Sequence, residues 1–111
     1  MIVTVFRSRL VSGVDDAYRP IADRMDELAQ TMPGYISHKG FTAEDGERVT
    51  IAEFASEEAL RAWRHHPEHI AAQKQGREAF YSVYRIQVCE VLREAQFEAA
   101  ASAGGSSDTV T

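Results

Sequence analysis

The chain has 111 residues, a formal net charge of −5 and a single cysteine, Cys89, which suits one compact domain in a reducing compartment. Its twelve Lys and Arg residues are scattered, so the composition argues against a nucleic-acid partner, which would need a concentrated basic surface. The sequence has neither the roughly 20-residue apolar stretch that spans a bilayer nor the start of a signal peptide, and we expect a cytoplasmic protein with no membrane partner.

The first part of the chain predicts a strand followed by an amphipathic helix. Residues 2–10 alternate between two side-chain faces, which is typical of a strand. Apolar residues then recur at three- and four-residue spacing over residues 14–32, which predicts a helix. Pro20 lacks an N–H and is tolerated only near a first turn, so we expect regular helix to begin at residue 15 or 16. The pair Pro33-Gly34 should end it.

A hairpin and a short helix are predicted next. Residues 35–43 and 48–54 are β-rich runs, and the Asp-Gly pair within residues 44–47 marks a tight connection between them. Ser56 is the expected N-cap of the short helix, and two glutamates follow it where the helix dipole favours anions. The core face of this helix carries Trp63.

The last part of the chain predicts a further helix, a long strand and a tail. His66-Pro67 interrupts the short helix, and the proline then opens another helix that runs to about Gln75. Residues 80–93 form the longest predicted strand. Residues 94–101 predict a short helix, and the small polar residues 102–111 predict a flexible tail.

The element order βαββαβ predicts a ferredoxin-like α+β sandwich, in which helices cover one face of a four-stranded antiparallel sheet. We expect this domain to occupy residues 1–94, with the short helix and the tail over 95–111. The first and last strands are apolar on both sides, whereas the helices can cover only one face. A lone copy would expose apolar sheet, so the sequence predicts a tight homodimer that packs sheet against sheet.

A family resemblance rests on four segments: Met32–Tyr35, Phe54–Trp63, His66–His69 and Phe80–Val88. On these segments the chain, from about residue 2 to residue 93, resembles the antibiotic biosynthesis monooxygenase domain proteins, which are small dimeric α+β barrels. The family includes cofactor-free quinone-forming oxygenases, haem-degrading enzymes and proteins of unknown role. The resemblance therefore implies the fold more closely than it implies one activity.

The resemblance also implies where chemistry would take place. In the cofactor-free members a phenol or hydroquinone in a cleft between helices and sheet loses a proton, and its anion reacts directly with O₂. Trp63 matches the family's cleft tryptophan, and His69 falls where some quinone-forming members carry a tyrosine, so His69 is our proton-handling candidate. Arg85 lies on the last strand, where an arginine of those members steadies the anion; an inter-subunit ion pair is the alternative.

Other readings of the same residues remain open. His65, His66 and His69 form a cluster, but His66 and His69 have no third ligand at a spacing typical of a metal site, so we expect no metal. Capping a helix is the alternative role for His66. Haem-degrading relatives carry a histidine where this chain has Gln73, which argues against haem ligation. The quinone-forming members' helix asparagine corresponds to Ala59, so one oxyanion donor is missing.

We therefore predict a cofactor-independent monooxygenase that oxidises a phenol- or hydroquinone-type small molecule, with Trp63, His69 and Arg85 as its catalytic group. The alternatives are a non-enzymatic dimer that binds a small aromatic ligand in the same cleft and a haem-binding relative. The remaining candidates for substrate contact are Phe6, Ser8, His38, His66, Gln73, Tyr81 and Tyr84.

Overall fold

A four-stranded antiparallel sheet carries the rest of the structure, a computed structural model that describes residues 1–100. The strands follow the order β2-β3-β1-β4, which is the predicted ferredoxin-like arrangement. Their bounds agree closely with the β-rich runs of the sequence. They are β1 (Ile2–Leu10), β2 (Tyr35–Thr42), β3 (Arg48–Phe54) and β4 (Tyr81–Glu90).

Three helices lie on one face of this sheet: α1 (Asp15–Ala29), α2 (Glu57–Arg64) and α3 (Pro67–Gln75). α1 begins at residue 15, as expected from the position of Pro20, but it ends at Ala29, three residues before the last apolar residue of the predicted helix, Met32. The N–H groups of Thr31 and Met32 bond to carbonyls three residues earlier, which tightens the chain out of the α-helix. None of the described helices is long and apolar enough to cross a membrane.

Local hydrogen bonds fix the ends of the two short helices as predicted. Ser56 Oγ accepts from the N–H of Ala59 at 3.1 Å and caps α2. His66 Nδ1 accepts from the N–H of Glu68 at 3.1 Å and caps α3, while Pro67 opens it. A wider helical turn, Gly76–Phe80, was not predicted, and it joins α3 to β4.

The end of the domain differs from the prediction. β4 ends at Glu90 rather than at residue 93, and residues 91–100 have no regular secondary structure. Leu92 and Phe97 are 90% and 89% exposed, so the segment buries no apolar face that would stabilise an isolated helix. The helix predicted from Glu94 is therefore wrong over the described residues. Residues 101–111, including the predicted tail, lie outside them.

The hydrophobic core lies at one end of the sheet. Phe54, at the end of β3, is 1% exposed and is the most buried large side chain among the described residues. Around it pack one residue of β1 and three from the helices: Ile2, Ala29, Leu60 and Trp63. Phe80 is buried separately, beside the start of β4. The helices are thus held to the sheet near both ends rather than along its whole length.

One extra residue in β2 changes which side chains share a face. Tyr35 pairs with Phe54, but the next pair joins Ser37 to Glu53, so Ile36 forms a bulge. Without a bulge, residues three apart on a strand face opposite sides. With it, Tyr35 and His38 both lie on the face that the helices cover.

The opposite face of the sheet is uncovered by helices and carries apolar side chains beside charged ones such as Arg7 and Arg85. Its side chains alternate with those under the helices and include Val5 of β1, which pairs with Ile51 of β3. On this face Ile51, Phe41 and Val83 are 38%, 50% and 55% exposed. This is the face on which the sequence predicted a second copy to pack.

Gly34, in the Met32–Tyr35 segment, lies where the chain passes close to α2. Its φ is +85°, and a Cβ there would lie 2.5 Å from the Cβ of Ala59 on α2. Its carbonyl accepts from the N–H of Ala55 at 2.7 Å, so this glycine ties β2 to the entry of α2.

We expect Gly34→Ala to destabilise the protein by more than the roughly 1 kcal/mol expected from a positive φ alone, because it adds a clash with α2. Gly13→Ala is the matched control, since Gly13 has a φ of +82° but a Cβ there would meet nothing within 4 Å. Urea unfolding measures both variants. Equal losses of stability in the two variants would contradict the close approach to Ala59.

Candidate functional site

A cleft of about 600 Å³ separates the helices from the middle of the sheet. It exists because the strands present small side chains there, among them Thr4 and Ser8 of β1 and Ala52 of β3. Its size falls within the roughly 300–1,000 Å³ typical of small-molecule sites. Eight of the ten sequence-predicted site residues line it: Phe6, Ser8, His38, Trp63, His69, Gln73, Tyr81 and Tyr84.

Trp63 and His69 form the aromatic wall of the cleft on the helix side. Their ring centroids are 4.3 Å apart and their planes differ by 22°, so the imidazole stacks on the indole. The His66-Pro67 break between α2 and α3 turns the chain so that one ring from each helix meets. Trp63 also packs into the core around Phe54, which fixes the stack at the core end of the cleft.

His69 is partly buried, and one of its ring nitrogens lies close to the backbone of Arg64 and Trp63. Its Nδ1 is without a hydrogen-bond partner among the described residues. Burial lowers the pKa of His69 below its ordinary value, because an apolar surrounding disfavours the charged ring, and the nearby backbone of Arg64 and Trp63 acts in the opposite direction. The lowered pKa favours the neutral imidazole near pH 7, and a neutral imidazole has one nitrogen that can accept a proton.

Tyrosines surround the other end of the cleft. The hydroxyls of Tyr18 and Tyr81 are 3.0 Å apart, and the ring of Tyr81 meets Phe6 edge to face at a centroid distance of 5.6 Å. Burial raises the pKa of Tyr81, which keeps its hydroxyl protonated and able to donate. The guanidinium of Arg48 lies 5.4 Å from the centre of the Tyr18 ring.

A chain of polar contacts connects β2 to α1 across the edge of the cleft. His38 Nδ1 is 2.7 Å from the hydroxyl of Tyr35, and His38 Nε2 is 3.3 Å from a carboxylate oxygen of Asp26. A His38 ring with its proton on Nε2, beside Asp26, accepts the Tyr35 proton at Nδ1, which leaves the oxygen of Tyr35 able to accept another hydrogen bond. All three residues line the cleft.

Gly76 allows Tyr81 to reach the cleft. A Cβ at position 76 would lie 2.5 Å from the Tyr81 ring, so only a glycine lets the wide turn pack against it. The turn delivers the chain from α3 into β4 and buries Phe80 at the same time.

Two predicted site residues lie elsewhere. Arg85 pairs with Arg7 across β1 and β4, on the uncovered face of the sheet, so it does not line the cleft with Trp63. Strict alternation along β4 puts it there, since its neighbour Tyr84 faces the cleft. His66 serves as the cap of α3 and is also absent from the lining. The prediction that either one contacts substrate in this cleft does not fit the structure of the protomer.

Among the cleft residues that were not predicted are Asp26, Tyr35, Tyr18 and Arg48. The helical spacing did place Tyr18 on the inner face of α1, and Tyr35 belongs to a segment quoted for the family, so a signal existed for both. Nothing in the sequence pairs Tyr18 with Tyr81, which is 63 residues away. Among the described residues, no group of three His, Cys, Asp or Glu side chains is arranged to hold a metal ion.

Comparison with known proteins gives results consistent with this geometry. The family model described as antibiotic biosynthesis monooxygenase matches residues 1–75. An uncharacterised protein of Bacillus subtilis, YqjZ, is 35% identical over 94 residues, which is 85% of this chain and 82% of that protein.

Solved structures share the fold at lower identity. Rv0793 of Mycobacterium tuberculosis superposes with a TM-score of 0.76 at 23% identity, covering 86% of this chain and 98% of that one. SnoaB of Streptomyces nogalater, a cofactor-independent oxygenase, superposes with a TM-score of 0.72 at 18% identity, covering 87% and 97%. These likenesses establish the fold, and the family match covers most of the domain. The chain therefore belongs to the antibiotic biosynthesis monooxygenase family.

Proposed function

We propose that the cleft is the active site of a cofactor-independent monooxygenase that oxidises a phenol-type aromatic molecule with O₂. The observation that carries this proposal is the stack of Trp63 on His69, with ring centroids 4.3 Å apart, in the lining of the cleft. It sets an aromatic wall and a neutral proton acceptor side by side. Membership of the family supports the monooxygenase class, whereas the phenolic substrate is our own inference.

The proposed reaction balances without a further reductant. His69 accepts the phenolic proton, and the carbon para to the resulting phenolate oxygen bonds to O₂. That carbon then loses its hydrogen as a proton, the O–O bond breaks, and the outer oxygen leaves as water. One oxygen atom thus enters a quinone and the other is reduced. The hydroxyl of Tyr81, which its raised pKa keeps protonated, is suited to donate to the negative charge that develops.

Oxygen uptake tests this proposal. When 1,5-dihydroxynaphthalene is added to protein that a chelator has freed of metal ions, we expect O₂ consumption and formation of 5-hydroxy-1,4-naphthoquinone. His69→Gln should slow the reaction by about 100-fold, the scale of general-base catalysis, and by more than Trp63→Phe does. His65→Gln is the matched control, because His65 is exposed and does not line the cleft. Absence of uptake by the unmodified protein, or equal rates for His69→Gln and His65→Gln, would refute the proposal.

A ligand-binding role without chemistry is the second candidate. It is favoured by Ala59, which packs against Gly34 instead of supplying the amide donor that quinone-forming relatives carry near this position. Saturable thermal stabilisation by the same naphthalenediol without O₂ uptake would identify this role. A haem-binding role is less well supported, because Gln73 stands in the cleft where the haem-degrading relatives have a histidine, and a haem titration without a Soret shift would exclude it.

The state of His69 can be measured directly, since Trp63 is the single tryptophan of the chain. A protonated imidazole quenches a neighbouring indole, so the fluorescence should titrate with a midpoint below the ordinary histidine value of about 6.5, because burial lowers the pKa of His69. We expect His69→Gln to abolish this transition. His66→Asn should retain it, because asparagine preserves the cap of α3. A midpoint at or above the ordinary value would contradict the burial effect.

The same lowered pKa affects stability. The unfolded chain binds the His69 proton more tightly than the folded protein does, so acidification favours unfolding. This contribution to stability is complete above the ordinary pKa and is lost as pH falls from there through the folded-state pKa.

We further propose that two copies pack through the uncovered sheet face, where Ile51, Phe41 and Val83 are exposed in the protomer. Light scattering should give twice the protomer mass of 12.4 kDa. Ile51→Glu should shift the protein towards the monomer, because it places charges in the interface. Ile70→Glu is the matched control, since Ile70 is 48% exposed on α3, away from this face. A monomer mass for the unmodified protein at all concentrations would disprove the dimer.

A further inference from the structure

The charge that lines the cleft has the opposite sign to that of the chain. Three arginines line it, Arg48, Arg64 and Arg77, whereas Asp26 is the one acidic residue among the described lining. The whole chain carries a net charge of −5. An acidic protein has therefore placed a local excess of positive charge around its cleft.

These cationic side chains are not neutralised within the described part of the protomer. None of the three arginines forms an ion pair with a described carboxylate, whereas Arg7 and Arg24 each make two hydrogen bonds to a glutamate elsewhere. Asp26 is oriented towards His38 Nε2 at 3.3 Å. A guanidinium stays protonated at any physiological pH, so these charges are available to a ligand.

The positive charge reaches both ends of the cleft. Arg64 follows Trp63 in α2, and its charge contributes to the lowered pKa of His69. Arg48 begins β3, and its charge acts on Tyr81 while its guanidinium lies over the ring of Tyr18 at 5.4 Å. Arg48 is also the only one of the three that projects from the sheet rather than from a helical segment.

We propose that the ligand of this cleft is an aromatic acid: a hydroxylated ring system with a carboxylate that Arg48 binds and that Arg64 and Arg77 attract. The inference rests on the proposed function for the phenol, and on the charges of the cleft for the acid. Aromatic side chains, Trp63 at one end and Tyr81 at the other, suit the rings. A planar guanidinium suits a carboxylate, because it donates two parallel hydrogen bonds.

Binding measured through Trp63 fluorescence tests the inference without O₂ chemistry. The probes are 2-naphthol and 6-hydroxy-2-naphthoate, which share the ring and the hydroxyl and differ in the carboxylate. We expect the acid to bind about tenfold more tightly, the scale of one charge-assisted interaction. Added salt should reduce this preference while leaving the affinity for 2-naphthol unchanged.

Variants locate the preference. Arg48→Gln should remove most of it without weakening 2-naphthol, and Arg48→Lys should retain part of it because the charge remains. Arg61→Gln is the charge-matched control: Arg61 lies on α2 one turn before Arg64, pairs with Glu57 at 3.6 Å on the surface and does not line the cleft. Thermal unfolding confirms that each variant is folded.

The outcomes separate this inference from the proposed function. Equal binding of the two probes, equal loss of both in Arg48→Gln, or no saturable quenching by either probe would overturn the aromatic-acid ligand. Oxidation of a neutral naphthol, together with equal binding of the neutral and acidic probes, would support the oxygenase and contradict the aromatic-acid ligand. A tenfold preference for the acid that depends on Arg48, without any O₂ uptake, would support the inference and remove the oxygenase.

Discussion

The packing of Phe54 against Leu60 and Trp63 is the contact on which the cleft depends. It fixes the helices to the sheet at one end, and the burial of Phe80 fixes the chain beside the other end. Between these points the sheet presents small side chains, so the helices span a gap rather than close on the strands. The core and the cleft are therefore continuous, because the indole of Trp63 packs in the core and also lines the cleft.

The two faces of the sheet present different sets of side chains. The covered face holds the polar and aromatic groups of the cleft, while the uncovered face leaves Ile51 and Val83 exposed, where we propose that a second copy packs. Because neighbouring residues of a strand point to opposite sides, Tyr84 lines the cleft whereas the adjacent Arg85 lies on the uncovered face. The chemistry we propose uses only the covered face.

Much of the fold could be predicted because each element has its own period, as in the strand over residues 2–10, and because Ser56 and Pro67 mark helix starts by local chemistry. The cleft was less predictable. The alternation of side chains along β4 correctly placed Arg85 on the same face as Val83 and Gln87. The sequence alone does not indicate which of the two faces lies under the helices. The contact of Tyr18 with Tyr81 arises only from the fold, since the two residues meet through different elements.

The bulge at Ile36 decides what chemistry the edge of the cleft contains, because the strand beyond it is offset by one residue. If Ile36 instead paired with Glu53 in a regular ladder, Lys39 and Phe41 would turn inward and His38 would move to the outer surface. A slip of one residue in register would then exchange an imidazole for an ammonium and a benzyl group. Along a lineage, this strand offers a discrete route between chemically different sites on an unaltered scaffold.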